Sequence, residues 1–164
     1  MRATLGLGGN IGEPRATMAA ALQLLDADAD ISVTAVSSLY STPPWGITDQ
    51  PDFLNAVAIV ETRLEPRVLL RRCLDVEQEL HRVRDKRWGP RSVDLDILTY
   101  DDLEVSEPGL EIPHPRMMDR AFVLVPLLEL TPDLMVSGKR LDDRLAEIGR
   151  EGISLAAGPD WWKS

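Results

Sequence analysis

Two aspartates separated by one residue, Asp94-Leu95-Asp96, are the sharpest chemical feature of this sequence. On a β-strand, residues i and i+2 point to the same face, so the carboxylates would stand roughly 7 Å apart on one side. Like charges held that close repel unless a cation lies between them. A hard dication such as Mg²⁺, or two of them, fills that role and can hold substrate phosphates as well. The competing reading is a polar strand face turned to water.

The residues just before the pair favour the metal. Arg82-Val83-Arg84-Asp85-Lys86-Arg87-Trp88-Gly89-Pro90-Arg91 holds five basic residues and one acid. The whole chain carries a net charge of −9, so the remaining 13 basic and 26 acidic residues leave −13 elsewhere. Positive charge gathered at one place in an acidic protein marks a small polyanion site, and excludes a broad nucleic-acid or anionic-membrane surface. Four of the five cations are arginines, whose planar fork matches phosphate oxygens. Gly89 and Pro90 make a turn that could move as a lid. A merely solvated loop would mix its signs. Carboxylates for metal beside arginines for phosphate suggest phosphoryl transfer from a nucleotide–Mg²⁺ complex, which is mostly positioning and charge neutralisation. No Walker-type Gly-x-x-x-x-Gly-Lys-Ser/Thr is present, and Gly6, Gly8 and Gly9 do not complete a dinucleotide fingerprint. The nucleotide must therefore be held by side chains.

A third constellation suits a flat heterocycle. Phe53 and Asn55 share one strand face and pair a ring to stack on with an amide that both donates and accepts. The stiff Thr42-Pro43-Pro44-Trp45-Gly46 segment before them can present backbone groups to a ring. Phe122 could close a sandwich, or equally sit in the core. His114, fixed between Pro113 and Pro115, either donates to a phosphate or caps a turn. Glu77 lies beside the apolar stripe of a helix and either meets a nucleobase or sits in water. Cys73 lies in that stripe and reads as core packing.

The elements that position these residues alternate short strands and helices. Residues 2–8 read as a strand with Leu5 and Leu7 on one face, while Gly6, Gly8 and Gly9 leave room for a close approach by backbone or ligand. Pro14 opens a helix striped by Met18, Leu22 and Leu25. Residues 31–41 alternate as a strand, 42–52 form a loop, and Phe53 to Thr62 is a third strand. Pro66 starts the clearest helix, with Leu69, Cys73, Val76, Leu80 and Val83 at steps of four and three. Residues 84–91 read as a polar turn before a fourth strand around Val93, Leu95 and Ile97. The order strand, helix, strand, strand, helix, strand is the ferredoxin-like βαββαβ arrangement, an α+β fold whose antiparallel sheet carries its helices on one face. A hairpin near 103–112 and helices near 119–130 and 140–149 follow. Trp161-Trp162 either docks on the body or ends a loose tail. At 164 residues the chain fits one domain, 1–164, with one core. A single cysteine suits a reducing cytosol, and no apolar run reaches the ~18 residues of a membrane span, so a cytoplasmic protein is expected.

Arg87-Trp88-Gly89-Pro90-Arg91-Ser92-Val93-Asp94-Leu95-Asp96-Ile97-Leu98 resembles the signature of the 6-hydroxymethyl-7,8-dihydropterin pyrophosphokinase family of folate biosynthesis. Gly8-Gly9-Asn10 stands where the family usually has Gly-Ser-Asn. Ser41-Thr42-Pro43-Pro44, Gln50-Pro51-Asp52-Phe53-Leu54-Asn55, Pro113-His114-Pro115-Arg116 and Arg120-Ala121-Phe122 match its other motifs, in order. The resemblance implies a ferredoxin-like fold and transfer of pyrophosphate from ATP to the pterin hydroxymethyl group, with AMP released. It implies two Mg²⁺ held by Asp94 and Asp96, and Arg82 and Arg91 as catalytic arginines. Glu77, Arg87, Ile97, His114, Arg116 and Arg120 would serve ATP. Phe53 and Phe122 would sandwich the pterin, with Thr42, Pro43, Pro44, Trp45 and Asn55 around it. Gly9 for Ser, and Trp45 in a variable position, are the departures. Small-molecule substrates and a monomer are expected, with no nucleic acid and no membrane as partner. A two-metal nucleotidyltransferase would place its glycine motif and D-x-D pair on one short unit, whereas Gly9 and Asp94 stand 85 positions apart. A ferredoxin-like RNA-binding module would need a basic, aromatic sheet face, against 5% aromatics and a negative balance here.

Overall fold

Alternation builds the first strand. In β1 (Arg2–Gly9), Ala3, Leu5 and Leu7 are buried on one face, and Gly6 and Gly8 fall on the other. The computed structural model describes residues 1–9, 12–43, 52–88 and 93–163, with the backbone only for 82–88. After β1 come α1 (Pro14–Asp26), β2 (Ile31–Val36), β3 (Leu39–Thr42), β4 (Phe53–Thr62), α2 (Pro66–Trp88) and β5 (Asp94–Tyr100). A hairpin of β6 (Val105–Glu107) and β7 (Leu110–Ile112) follows, then a 3-10 turn over Met117–Asp119 and α3 (Ala121–Leu130). A two-residue pair, β8 (Met135–Val136) and β9 (Lys139–Arg140), leads to α4 (Leu141–Ile148) and β10 (Ser154–Ala157).

The main sheet is antiparallel, with β1 between β5 and β4, β2 and β3 both paired to β4, and β10 outside β3. This is the ferredoxin-like order. Helices α1 and α2 cover one face, where Met18, Leu22, Leu69 and Cys73 pack with Leu5, Leu7, Val60 and Leu95. Successive strand residues face opposite ways, so Val57 and Leu98 point to the second face. There they pack with Val123, Leu124 and Leu127 of α3 and Leu141 of α4. Each fully buried Leu contributes on the order of 1.5–3 kcal/mol, so both layers hold the sheet. Among the described residues no helix is long and apolar enough to cross a membrane.

Several expectations shift. The strand expected over 31–41 is two strands broken at Ser37-Ser38, because the serine hydroxyls offer the backbone other partners: Ser37 Oγ donates to the Ser38 carbonyl and accepts the Val57 N–H. The polar turn expected from residue 84 is helical through Trp88. Arg84, Asp85, Lys86 and Arg87 are polar but not helix breakers; the first breakers in the sequence are Gly89 and Pro90. The helix expected from residue 119 begins at Ala121, after the 3-10 turn. Two elements absent from the expectation are the β8–β9 pair and β10, each too short to leave a periodic signature. Trp161 docks: it is buried, and its indole N–H donates to the Ser37 carbonyl at 2.9 Å.

Candidate active site

The site is laid out by register. Gly8 of β1 lies opposite Asn55 of β4 on one side and Asp94 of β5 on the other. One pleat along, Gly6 lies opposite Val57 and Asp96. Strands are spaced about 4.8 Å apart, so Asn55 and Asp94 face each other across roughly 10 Å with no side chain between them. A cavity of about 270 Å³ fills this trough. Phe53 and Asn55 enter it from β4, Thr42 from β3, and Asp94, Asp96 and Leu98 from β5. Arg120, Phe122 and Val123 at the start of α3 form the opposite wall, with His114 at the side. Phe53 is 36% exposed, high for a large aromatic, which suits a ring waiting for a flat partner. The Arg120 guanidinium sits 5.7 Å from the Phe122 ring centre, within cation–π range.

Three carboxylates gather behind and beside the trough. Glu77 of α2 accepts the Leu95 N–H at 2.7 Å, at the peptide between the two aspartates. Burial, and then the charges of Asp94 and Asp96, push the Glu77 carboxyl up to about 6, against that hydrogen bond. Burial and the Asp96 charge also raise Asp94. Uncompensated negative charge of this kind is what a bound cation relieves. Among the described residues no group of three or more His, Cys, Asp and Glu side chains is placed to hold a metal ion. The aspartate pair alone suits Mg²⁺, which takes one or two carboxylates and completes its shell with water and phosphate.

His114 is held in one tautomer. Its Nδ1 accepts the Arg116 N–H at 3.1 Å, so in the neutral ring the proton is on Nε2. Burial lowers its pKa, as do Arg120 and Arg116, while Asp96 opposes them. A second cavity, also about 270 Å³, lies beyond His114 and Asp96, lined by Leu70, Leu95, Ile97 and the hairpin residues Gly109 to Glu111. Asp96 and His114 line both cavities.

Of the residues expected at the site, Thr42, Phe53, Asn55, Asp94, Asp96, His114, Arg120 and Phe122 meet in the first cavity, and Ile97 lines the second. Glu77 reaches the site from behind, through the β5 backbone. Pro43 is exposed and rests against Gly152. Arg116 is also exposed and contributes its N–H. Pro44, Trp45 and Arg91 lie outside the described residues, as do the side chains of Arg82 and Arg87. Leu98 and Val123 line the cavity without a sequence signal; Gly6 and Gly8 had one, the glycine spacing in β1. Cys73 is fully buried core, its thiol pushed up to about 12 by burial.

Comparison with known proteins gives one family. A sequence model of 7,8-dihydro-6-hydroxymethylpterin-pyrophosphokinase matches residues 4–132. A 2-amino-4-hydroxy-6-hydroxymethyldihydropteridine pyrophosphokinase of Methylorubrum extorquens is 49% identical over 93% of this chain and 96% of its own length. One of Pseudomonas aeruginosa is 44% identical over 96% of this chain and 98% of its own. Among solved structures, a wild-type HPPK-DHPS of Plasmodium falciparum aligns with 94% of this chain at a TM-score of 0.71 and 15% identity. That likeness is one of fold, and this chain spans 48% of that longer one.

Proposed function

The chain belongs to the 7,8-dihydro-6-hydroxymethylpterin-pyrophosphokinase family, and on that premise we propose how its residues divide the reaction among them. The enzyme is an ATP-dependent diphosphotransferase of folate biosynthesis. It transfers pyrophosphate from ATP to the hydroxymethyl group of 6-hydroxymethyl-7,8-dihydropterin, and AMP leaves.

The observation that carries the residue assignment is the pair of cavities sharing Asp96 and His114. The first offers two aromatic rings and a buried amide, the chemistry of a pterin: Phe53 and Phe122 stack on its faces, Asn55 and Thr42 read its edge, and Pro43, Pro44 and Trp45 complete the set of residues assigned to the pterin. The second, with Ile97 and Leu70, suits the nucleoside of ATP. The triphosphate then runs along the shared wall, which brings the pterin hydroxymethyl oxygen to the β-phosphorus.

Asp94 and Asp96 would hold two Mg²⁺, which supply charge neutralisation of the phosphates and orient them. The rest is done by the chain. His114 donates its Nε2–H to a phosphate oxygen. Arg120, Arg116 and Arg87 add charge-assisted contacts. Arg82 and Arg91 stabilise the charge that shifts as the bond to the leaving AMP breaks. Glu77 holds β5 by the Leu95 N–H and so keeps the flanking aspartates in place. The acidic balance disfavours nucleic acid as a partner, and the lone buried cysteine suits a reducing cytoplasm; a monomer of one domain, 1–164, working on small molecules completes the proposal.

Incubation with ATP, Mg²⁺ and 6-hydroxymethyl-7,8-dihydropterin, followed by nucleotide chromatography, tests this reading. AMP is the expected nucleotide product. ADP as the main product would overturn pyrophosphate transfer in favour of simple phosphorylation.

A further inference from the structure

Helix α3 carries Phe122 in its first turn and Glu129 seven residues later. Seven residues are close to two turns, so both side chains project from the same side of the helix, roughly 10 Å apart along it. Pro126 lies between them. Having no N–H, it cannot bond the Phe122 carbonyl four residues back, and its ring crowds that carbonyl. The turn that bears Phe122 is thus less firmly tied to the rest of its own helix than an uninterrupted one.

Glu129 ties the other end of α3 to the sheet. Its two carboxylate oxygens accept the Ser38 N–H at 3.1 and 3.0 Å. Oε2 also accepts the Ser38 hydroxyl at 3.0 Å, and Oε1 the Tyr40 hydroxyl at 2.6 Å. These donors belong to the β2–β3 junction and to β3 itself. In register, Tyr40 lies opposite Asn55, and Thr42 lies opposite Phe53. Burial, and then the neighbouring Glu129, push the Tyr40 phenol up to about 12, so it stays a donor at neutral pH. The carboxylate thus grips the strand that flanks Asn55 and Phe53, from the helix that carries Phe122.

We infer that Glu129 is a positioning residue for the pterin: by holding β3 against α3, it sets the separation between Phe53 and Asn55 on the sheet and Phe122 on the helix. Glu129 lines neither of the two cavities. A stacked ring needs its two walls a fixed distance apart, so a small outward shift of either wall loses the contact. The nucleotide cavity lies across β5, away from β3, and is not governed by this clamp. The inference rests on the pterin assignment given above.

The test is equilibrium titration of the whole enzyme and its variants, first with a Mg²⁺ complex of a non-hydrolysable ATP analogue, and then with 6-hydroxymethyl-7,8-dihydropterin on the enzyme saturated with that analogue. Pterin binding by the parent is the reference, and its absence would overturn the pterin reading of the cavity itself. Given that binding, Glu129→Ala is expected to weaken the pterin about tenfold and the ATP analogue by less than about twofold. Glu129→Gln keeps an acceptor oxygen and is expected within roughly threefold of the parent for the pterin. In a Phe122→Ala background, Glu129→Ala should cost less than about twofold more, because the wall it positions is gone. Parent-like pterin affinity in a folded Glu129→Ala protein, equal loss of both ligands, or additive losses in the double variant would each overturn the inference. Should Glu129→Ala not fold, Ser38→Ala and Tyr40→Phe each remove one donor. Loss of pterin affinity alone supports the clamp, and parent-like affinity in both overturns it.

Discussion

Gly8 and Asn55 meet across β1 and β4 so closely that a Cβ added to Gly8 would lie 2.9 Å from Asn55 Oδ1. The glycine is required by this contact and the open trough beside it. Gly8→Ala is expected to push the Asn55 amide aside. Losing one or two hydrogen bonds of ~1 kcal/mol each should weaken the pterin about five- to thirtyfold. ATP affinity should hold, and the melting temperature should fall by no more than a few degrees. Parallel titrations and a thermal melt check this; loss of both ligands together would mean that the substitution deforms the sheet.

Asp94→Ala and Asp96→Ala should each lower turnover by at least ~10²-fold, the scale of losing one preorganised charge contact. Neither side chain is core, so circular dichroism should stay native. The discriminating measurement is thermal stability with and without Mg²⁺. The parent should gain stability on adding the ion, and both variants should lose that gain. Without the ion, either variant should be at least as stable as the parent, because mutual repulsion is removed.

Phe53→Ala should weaken the pterin more than the nucleotide, by about 0.5–1.5 kcal/mol beyond the lost area. Equal losses for both ligands would assign Phe53 to the fold.

Glu77 gives a pH dependence with a definite sign. Burial holds its carboxyl near pH 6 in the fold, above the 4.5 of an unperturbed glutamate. The folded state therefore binds more protons than the unfolded one in that window, and stability falls as pH rises through it. Solvent reaches part of the group, so the discounted effect is about 1 kcal/mol or less. Denaturant titrations at pH 4.5 and 6.5 without divalent ions should show the parent losing more stability than Glu77→Gln. A steeper fall in the variant would contradict the burial argument.

Arg82→Ala and Arg91→Ala should bind both substrates within roughly tenfold of the parent while losing ~10²–10³ in single-turnover rate. A variant losing ATP affinity in full proportion to its rate would show that the arginine binds only the ground state.

The sequence by itself determined the elements and most of the chemistry. Period-two alternation in β1, β4 and β5 and the 3.6-residue stripe of α2 are local consequences of which side chains must leave water. The D-x-D spacing puts Asp94 and Asp96 on one face of whatever strand they occupy. Strong local breakers are legible, as at Pro14 and Pro66, whereas polarity alone does not break a helix, as the helical stretch over 84–88 shows. Tertiary structure decided what no local pattern encodes. Register placed Gly8 between Asn55 and Asp94, 47 residues from the first and 86 from the second. Strand pairing brought β10 to β3 and docked Trp161 on Ser37, although a four-residue strand and a lone aromatic carry almost no periodic signal. The packing of α3 on the second sheet face chose Leu98 and Val123 as walls of the site and turned Phe122 toward the cavity and Glu129 toward Ser38 and Tyr40. These are contacts between residues far apart in sequence, fixed only when the apolar faces of separate elements are buried against each other.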